Sequence, residues 1–183
     1  MRDLSLHLLD ILTNSIAAEA QLIQINVYLD ESDDLLSMTI TDDGFGMDEA
    51  FLETVTDPFS TTRTTRKVGL GIPLLKELCE LTGGSFSIES QKNMGTQVCA
   101  RFVYSSIDRL PLGNMGESMA PIISSYPERE FVLMFSSDLR GQSVVDTREI
   151  KAQLGEVPLS HPDVYLFLSQ YIFEQQMTII GGK

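Results

Sequence analysis

The chain has 183 residues, enough for one hydrophobic core with an appendage, and 43% of them are hydrophobic, as in ordinary soluble globular proteins. It carries 13 Lys and Arg against 26 Asp and Glu, so its formal net charge is −13. Because nucleic-acid phosphates need clustered cations and no basic run appears, this charge argues against nucleic acid as the main partner.

Membrane, secretory and metal classes are also disfavoured. No stretch is apolar over the length of a membrane span, and residues 1–20 lack the cleavage-site pattern of a secretory leader, so we expect a cytoplasmic protein with no membrane association. Cys79 and Cys99 lie far apart without neighbouring His residues. That spacing predicts two buried thiols rather than a zinc site or a disulfide.

Residues 1–105 predict a compact α+β unit. Apolar residues at helical spacing predict a helix between Leu4 and Ala20. The alternating stretches "LIQINVYL" and "LLSMTIT" predict an antiparallel hairpin across the acidic turn "DESDD". After a long loop with a short helix, "GIPLLKELCELTGG" predicts a second long helix, and "SFSIES" and "TQVCARFVY" predict a second strand pair. One antiparallel or mixed sheet covered by helices on one face accommodates this order.

Residues 106–183 predict a small α/β extension, after a break over "DRLPLGNMGES". "EFVLMF" and "QSVVD" predict two strands, and the first should be paired or buried because an exposed apolar strand invites aggregation. A short helix capped by Asp146 and a last helix from about Pro162 to Gln176 follow. We expect this extension to pack on residues 1–105.

Three clusters carry candidate chemistry. Asp10 and Asn14 are four residues apart and lie on one helix face, where their oxygens could orient a water or hold a divalent cation; an exposed polar face explains the pair equally well. In "TDDGFGM", Asp42 offers a carboxylate to an exocyclic amine such as that of adenine, and Gly44 and Gly46 let a flat ligand approach the backbone. Ordinary turn chemistry is the alternative for this stretch.

The third cluster, "KVGLGI", places Gly69 and Gly71 just before a helix, beside Lys67. Backbone N–H groups at a helix start favour anions, so this stretch is a candidate phosphate site, with a ligand-free glycine loop as the alternative. It matches neither the P-loop pattern nor the dinucleotide-binding fingerprint.

In this order the clusters resemble the motifs of the histidine-kinase-like (GHKL) ATPase superfamily, which has the Bergerat fold. "LLDILTNSIAAEA" looks like the N box of that family, "TDDGFGM" like its first glycine box, "DPFSTT" like its F box, "KVGLGI" like its second glycine box and "MGTQV" like its closing Gly-Thr motif. The resemblance covers roughly residues 4–104 and implies that the chain binds ATP and Mg²⁺.

The resemblance also implies roles for individual residues. Asn14 would coordinate Mg²⁺, and Asp42 would accept from the adenine amino group, directly and through a water shared with Thr96. The remaining nucleotide-binding candidates are those that line the adenine (Gly44, Gly46 and Met47), those in or next to a mobile lid over residues 57–68 (Thr61, Thr62, Lys67 and Val68) and those that face the phosphates (Gly69, Leu70 and Gly71).

The sequence departs from the family pattern at two positions. Asp10 stands where hydrolysing members carry a Glu that activates water, so it is the candidate general base, one methylene shorter. Lys67 stands where many histidine kinases have Gly. In addition, few residues precede the first helix, so we expect no phosphoacceptor hairpin before it, and His7 is expected on a helix face.

The function expected from the resemblance is Mg-dependent ATP binding by a regulatory switch, with slow hydrolysis or none. The main competing function is a protein kinase that transfers the γ-phosphoryl group to a separate partner protein. In both, a separate protein partner is expected. Two further functions fit the sequence: an ATPase that cycles a homodimer, with Asp10 as base, and a plain α+β interaction module.

Overall fold

The computed structural model of the protein describes residues 2–56 and 71–181. Its helices are α1 (Leu4–Ala17), α2 (Glu49–Thr54), α3 (Gly71–Leu81), α4 (Met115–Ser125), α5 (Thr147–Leu154) and α6 (Pro162–Ile179). Its strands are β1 (Leu22–Asp30), β2 (Leu35–Asp42), β3 (Ser85–Gln91), β4 (Gly95–Val103), β5 (Glu130–Ser137) and β6 (Gly141–Asp146).

The strands form a single six-stranded sheet in the order β3-β4-β2-β1-β5-β6. The pairs β1–β2, β2–β4, β3–β4 and β5–β6 are antiparallel, whereas β1 and β5 run parallel. The sheet is therefore mixed, and both hairpins expected within residues 1–105 are confirmed.

The hydrophobic core lies on one face of this sheet. In β1 and β2, alternate residues are buried, and the register pairs Ile25 with Ile40 and Val27 with Met38. Leu133 of β5 continues the same row on the other side of Ile25. Since side chains alternate across a strand, one register places all these apolar residues on the face that the helices cover.

Helices α1, α3, α4 and α6 form the covering layer. Helix α1 packs on α3 and α4, α3 packs on β3 and β4, and α6 packs on α4, β5 and β6. Both cysteines in the described ranges are buried and free, as expected, and burial raises the pKa of the Cys79 thiol to about 12. Within residues 2–56 and 71–181, no helix combines the length and apolarity needed to cross a bilayer.

The C-terminal part is joined to the first 105 residues through the sheet and through α1. "EFVLMF" becomes β5, paired on both sides, as its apolar character predicted. The backbone N–H groups of Leu4 and Ser5 donate to the carbonyls of Pro111 and Leu112, both at 2.9 Å, and the buried hydroxyls of Ser5 and Ser118 are 2.7 Å apart. Whether residues 1–105 and 106–183 are separate domains stays a prediction.

Helix α4 was not predicted, and its composition explains why. The segment contains Gly116 and Pro121, and in local sequence these two residue types indicate a loop rather than a helix. A Cβ at Gly116 would lie 1.9 Å from the carbonyl oxygen of Ser169 in α6, so glycine is needed for the close approach of the two helices. Asn114 caps α4 by accepting from the N–H of Glu117 at 3.1 Å.

Candidate functional site

Helix α1 carries two of the candidate site residues, Asp10 and Asn14. Asp10 and Asn14 are both half-buried, one helical turn apart, as their spacing predicted. Ser15, next to Asn14, is 2% exposed and faces the sheet. Asp10 and Asn14 therefore place a carboxylate and a carboxamide on one side of α1, and Ser15 directs a hydroxyl towards the sheet, all within about 8 Å along the helix axis.

Asp42 ends β2 as a buried carboxylate, 8% exposed. Its Oδ2 accepts from the Ser15 hydroxyl at 2.6 Å, and its Oδ1 accepts from the backbone N–H of Gly44 at 3.0 Å. Each carboxylate oxygen has a second acceptor position. Asp42 can thus accept from a ligand without releasing either partner.

Gly44 and Gly46 are required by the packing of the protein itself. A Cβ at Gly44 would lie 2.7 Å from the carbonyl oxygen of Ala18, and a Cβ at Gly46 would lie 2.1 Å from that of Gln91. Gly46 also has φ +63°, which favours glycine. The backbone of the "TDDGFGM" stretch is thereby pressed between the end of α1 and the β3–β4 turn.

Ser90 connects the other members of this cluster. Its hydroxyl accepts from the backbone N–H of Met47 at 2.8 Å, donates to the carbonyl of Gly95 at 2.9 Å and lies 2.9 Å from Oγ1 of Thr96. Thr96 is the register partner of Asp42 across β2 and β4. The structure therefore brings Asp42, Met47 and Thr96 together.

Asp10 lies against the start of α3. A Cβ at Gly71 would lie 2.8 Å from the Cβ of Asp10 and 3.0 Å from its Oδ2. A carboxylate beside a helix N-terminus is favourable, because the orphan N–H groups there carry partial positive charge. Asp10 and Gly71, candidates from different motifs, are thus neighbours.

His7 lies within α1, as expected, and its side chain is buried. It is 5% exposed, and its Nδ1 has no hydrogen-bond partner in the described part of the chain. Burial lowers the pKa of the imidazole, and the nearby Asp10 and Asp3 raise it by less. His7 is therefore neutral near pH 7, and its burial does not fit an exposed phosphoacceptor.

Part of the expected site lies outside the described residues. This applies to the "DPFSTT" stretch and to six candidates, Thr61, Thr62, Lys67, Val68, Gly69 and Leu70. In the ranges that are described, no three His, Cys, Asp or Glu side chains converge as metal ligands. The oxygens of Asn14 and Asp10 are nevertheless of the hard type that Mg²⁺ prefers, and Mg²⁺ at nucleotide sites takes further ligands from phosphates and water.

Sequence reasoning missed Ser15 and Ser90. Ser15 follows Leu8, Ile11 and Leu12 in the buried stripe of α1, and a hydroxyl in such a stripe signals a buried polar partner. Ser90 lies on the inward-facing side of β3, in register with Thr96. The alternation of β3 places Ser90 on the same side as Phe86 and Ile88, and this was the local signal that could have identified it.

Comparisons with known proteins place the chain in a family. The family model of the histidine kinase-, DNA gyrase B- and HSP90-like ATPases matches residues 2–105. Sensor histidine kinase YvrG of Bacillus subtilis is 31% identical over 100 residues, which cover 51% of this chain and 17% of that protein. Heme sensor protein HssS of Staphylococcus saprophyticus is 29% identical over 94 residues, covering 51% of this chain and 20% of that protein. The chain thus spans no more than a fifth of the length of these two relatives.

A solved structure shares the fold over more than the matched domain. The crystal structure of the N-terminal domain of a DNA repair protein superposes with a TM-score of 0.54 and 14% identity, covering 85% of this chain and 58% of that chain. Since residues 2–105 are little more than half of the chain, the shared fold includes part of residues 106–183. The motifs, the mixed sheet and the family match over residues 2–105 agree, and the chain belongs to the histidine kinase-, DNA gyrase B- and HSP90-like ATPases, a family that binds ATP.

Proposed function

We propose that the protein is a Mg²⁺-dependent ATP-binding switch, whose nucleotide state changes its contact with a separate partner protein in the cytoplasm. The observation that carries the proposal is the buried Asp42 carboxylate, fixed by Ser15 and the Gly44 N–H beside Thr96. Holding an acceptor in place before a ligand arrives lowers the ordering cost of binding.

In this proposal the adenine amino group donates to Asp42, directly and through a water shared with Thr96. Ser15 and the Gly44 N–H each donate to one oxygen of Asp42. Because each carboxylate oxygen can accept more than one hydrogen bond, these two contacts fix the side chain and leave acceptor positions for a ligand. Gly44, Gly46 and Met47 form the adjoining wall, which the packing of Gly44 and Gly46 makes rigid.

The phosphates would then extend along α1 towards Asp10 and the start of α3. Asn14 lies between Ser15, which contacts Asp42, and Asp10, which abuts Gly71. Its amide oxygen would bind the Mg²⁺ that neutralises the phosphates. Because the Asp10 carboxylate repels phosphate oxygens, a water or a cation must lie between them. A water in that place could be activated by Asp10 acting as a general base.

The first test is calorimetric titration of the full chain with ATP, with and without Mg²⁺. We expect micromolar-to-millimolar binding that Mg²⁺ tightens, and we expect Asn14→Ala to lose the Mg²⁺ enhancement while keeping Mg²⁺-free binding. Thr13→Ala, which removes an exposed hydroxyl on the same helix, is the matched control. Equal Mg²⁺ enhancement in Asn14→Ala and the wild type would remove Asn14 from the metal site.

A second candidate is a protein kinase acting on a separate protein. The similarity to the sensor histidine kinase YvrG favours this candidate. In addition, phosphoryl transfer requires little from a protein beyond positioning of the reactants and neutralisation of charge. Incubation with γ-labelled ATP and co-purifying proteins separates the candidates: label on a partner supports the kinase, whereas ATP-dependent capture without label supports the switch. If Asp10→Asn binds ATP but hydrolyses it as fast as the wild type, Asp10 is not the base.

A further inference from the structure

The Ser90 hydroxyl, near the C-terminal end of β3, lies within hydrogen-bond distance of three polar groups. The backbone N–H of Met47 donates to it at 2.8 Å, it donates to the carbonyl oxygen of Gly95 at 2.9 Å, and Oγ1 of Thr96 lies 2.9 Å away. A serine hydroxyl has one proton and two lone pairs, so all three contacts can form at once.

Counting protons fixes the direction of the third contact. The single Ser90 proton is given to Gly95, whose carbonyl can only accept. The hydrogen bond between Ser90 and Thr96 must therefore use the proton of Thr96. With its proton committed to Ser90, the Thr96 hydroxyl presents only lone pairs to any ligand.

The neighbouring Asp42 likewise offers only hydrogen-bond acceptors to a ligand. Ser15 and the Gly44 N–H both donate to it, and a carboxylate offers no donor of its own. Asp42 and Thr96 are opposite each other in the register of β2 and β4. Together they form a pair of acceptors that requires donors from whatever lies against it.

We propose that Ser90 is a specificity-determining residue: by taking the proton of Thr96, it makes this part of the site select a base edge, or a bridging water, that donates hydrogen bonds. The inference rests on the proposed function, in which adenine lies against Asp42. The 6-amino group of adenine supplies donors there. The 6-carbonyl of hypoxanthine places an acceptor against acceptors, which costs binding because polar groups are left unpaired.

The test compares ATP with inosine triphosphate, which replaces the 6-amino group by a carbonyl and leaves the ribose and triphosphate unchanged. We expect the wild type to prefer ATP. In Ser90→Ala the Thr96 hydroxyl is free to rotate and can donate, so the preference for ATP over inosine triphosphate should fall about tenfold. Ser90→Thr keeps a hydroxyl and should restore the preference. Ser87→Ala, on the exposed side of the same strand, is the matched control.

A second background separates this role from a structural one. In Thr96→Val no hydroxyl remains to be oriented, so adding Ser90→Ala should leave the ratio of the two dissociation constants unchanged. Thermal unfolding followed by circular dichroism identifies any variant that fails to fold, in which case Ser90→Thr and Thr96→Val still decide the question.

Three results would overturn the inference. If Ser90→Ala weakens both nucleotides equally, Ser90 only supports the fold. If it changes the ratio as much in the Thr96→Val background as alone, it does not act through Thr96. If the wild type binds ATP without preferring it, the acceptor pair does not select the base, whereas failure to bind either nucleotide also removes the proposed function.

Discussion

At the scale of single residues, the candidate adenine end is built by close backbone approach. Gly46 has φ +63°, and a Cβ there would lie 2.1 Å from the carbonyl oxygen of Gln91. The N–H of Asn93 donates to the carbonyl of Phe45 at 2.7 Å, which ties the same stretch to the β3–β4 turn. These contacts hold the backbone from Gly44 to Met47 in one position before any ligand binds.

Gly46→Ala should therefore destabilise the protein strongly. Its control is Gly141→Ala, at φ +79° with no atom within 4 Å of the added Cβ, so that it measures the backbone strain alone. We expect Gly141→Ala to lower the free energy of unfolding by about 1 kcal/mol. Gly46→Ala should lower it by roughly 1–3 kcal/mol more, because the Cβ also collides with backbone. Urea denaturation measures both values, and equal losses would show that packing around Gly46 is loose.

At the scale of elements, Gln176 joins α6 to the start of α4. The side chain is 1% exposed; its Oε1 accepts from the N–H of Met115 at 3.0 Å, and its Nε2 donates to the carbonyl of Gly113 at 2.8 Å. It thereby satisfies one of the backbone donors that a helix start leaves unpaired.

Gln176→Met keeps the volume of the side chain and removes both hydrogen bonds. Because the Met115 N–H and the Gly113 carbonyl lose their partner in a buried place, we expect the free energy of unfolding to fall by about 2–4 kcal/mol. Gln170→Met, on the exposed side of the same helix, should change it by less than about 0.5 kcal/mol. Similar, small losses in both variants would mean that water replaces the Gln176 amide.

The sequence predicted most elements because their signals are local. Alternation in β1 and β2 and the spacing of apolar residues in α1 and α3 each appear within one segment. The parallel pairing of β1 with β5 joins segments about 100 residues apart, for which one sequence carries no signal. Helix α4 was missed because Gly116, which indicates a loop locally, serves a contact with α6.

The candidate site was predictable to a similar degree. The ordered motifs identified Asp42, Gly44, Gly46, Met47 and Thr96, which the fold brings together. Ser15 and Ser90, which orient them, have the same residue type as many exposed positions. Their roles depend on strand register and helix rotation, and these are set by the whole core rather than by local sequence.

At the scale of the whole molecule, the sheet does not stop where the family match stops. Residues 2–105 match the family model, but β1 lies inside the sheet between β2 and β5. Asp3, which caps α1, also packs against Gly113: a Cβ added at Gly113 would lie 2.5 Å from the Cγ of Asp3. We infer that residues 106–183 stabilise the nucleotide-binding part.

A fragment of residues 1–105 tests this inference. Without β5, strand β1 becomes an exposed edge with apolar residues beside it, so we expect the fragment to aggregate or to unfold at a lower temperature than the full chain. Size-exclusion chromatography and thermal unfolding under the same conditions give the comparison. A monomeric fragment with an unchanged unfolding temperature would show that residues 1–105 do not need residues 106–183 for stability.

The central claim is that ATP binds against Asp42, and calorimetry of Asp42→Asn in the full chain with Mg²⁺·ATP tests it most directly. Losing a charge-assisted hydrogen bond to the base should weaken binding by roughly 10- to 100-fold. Asp108→Asn, at an exposed position, makes the same change of charge and should bind like the wild type. Wild-type affinity for ATP in a folded Asp42→Asn protein, or no ATP binding by the wild type, would contradict the account.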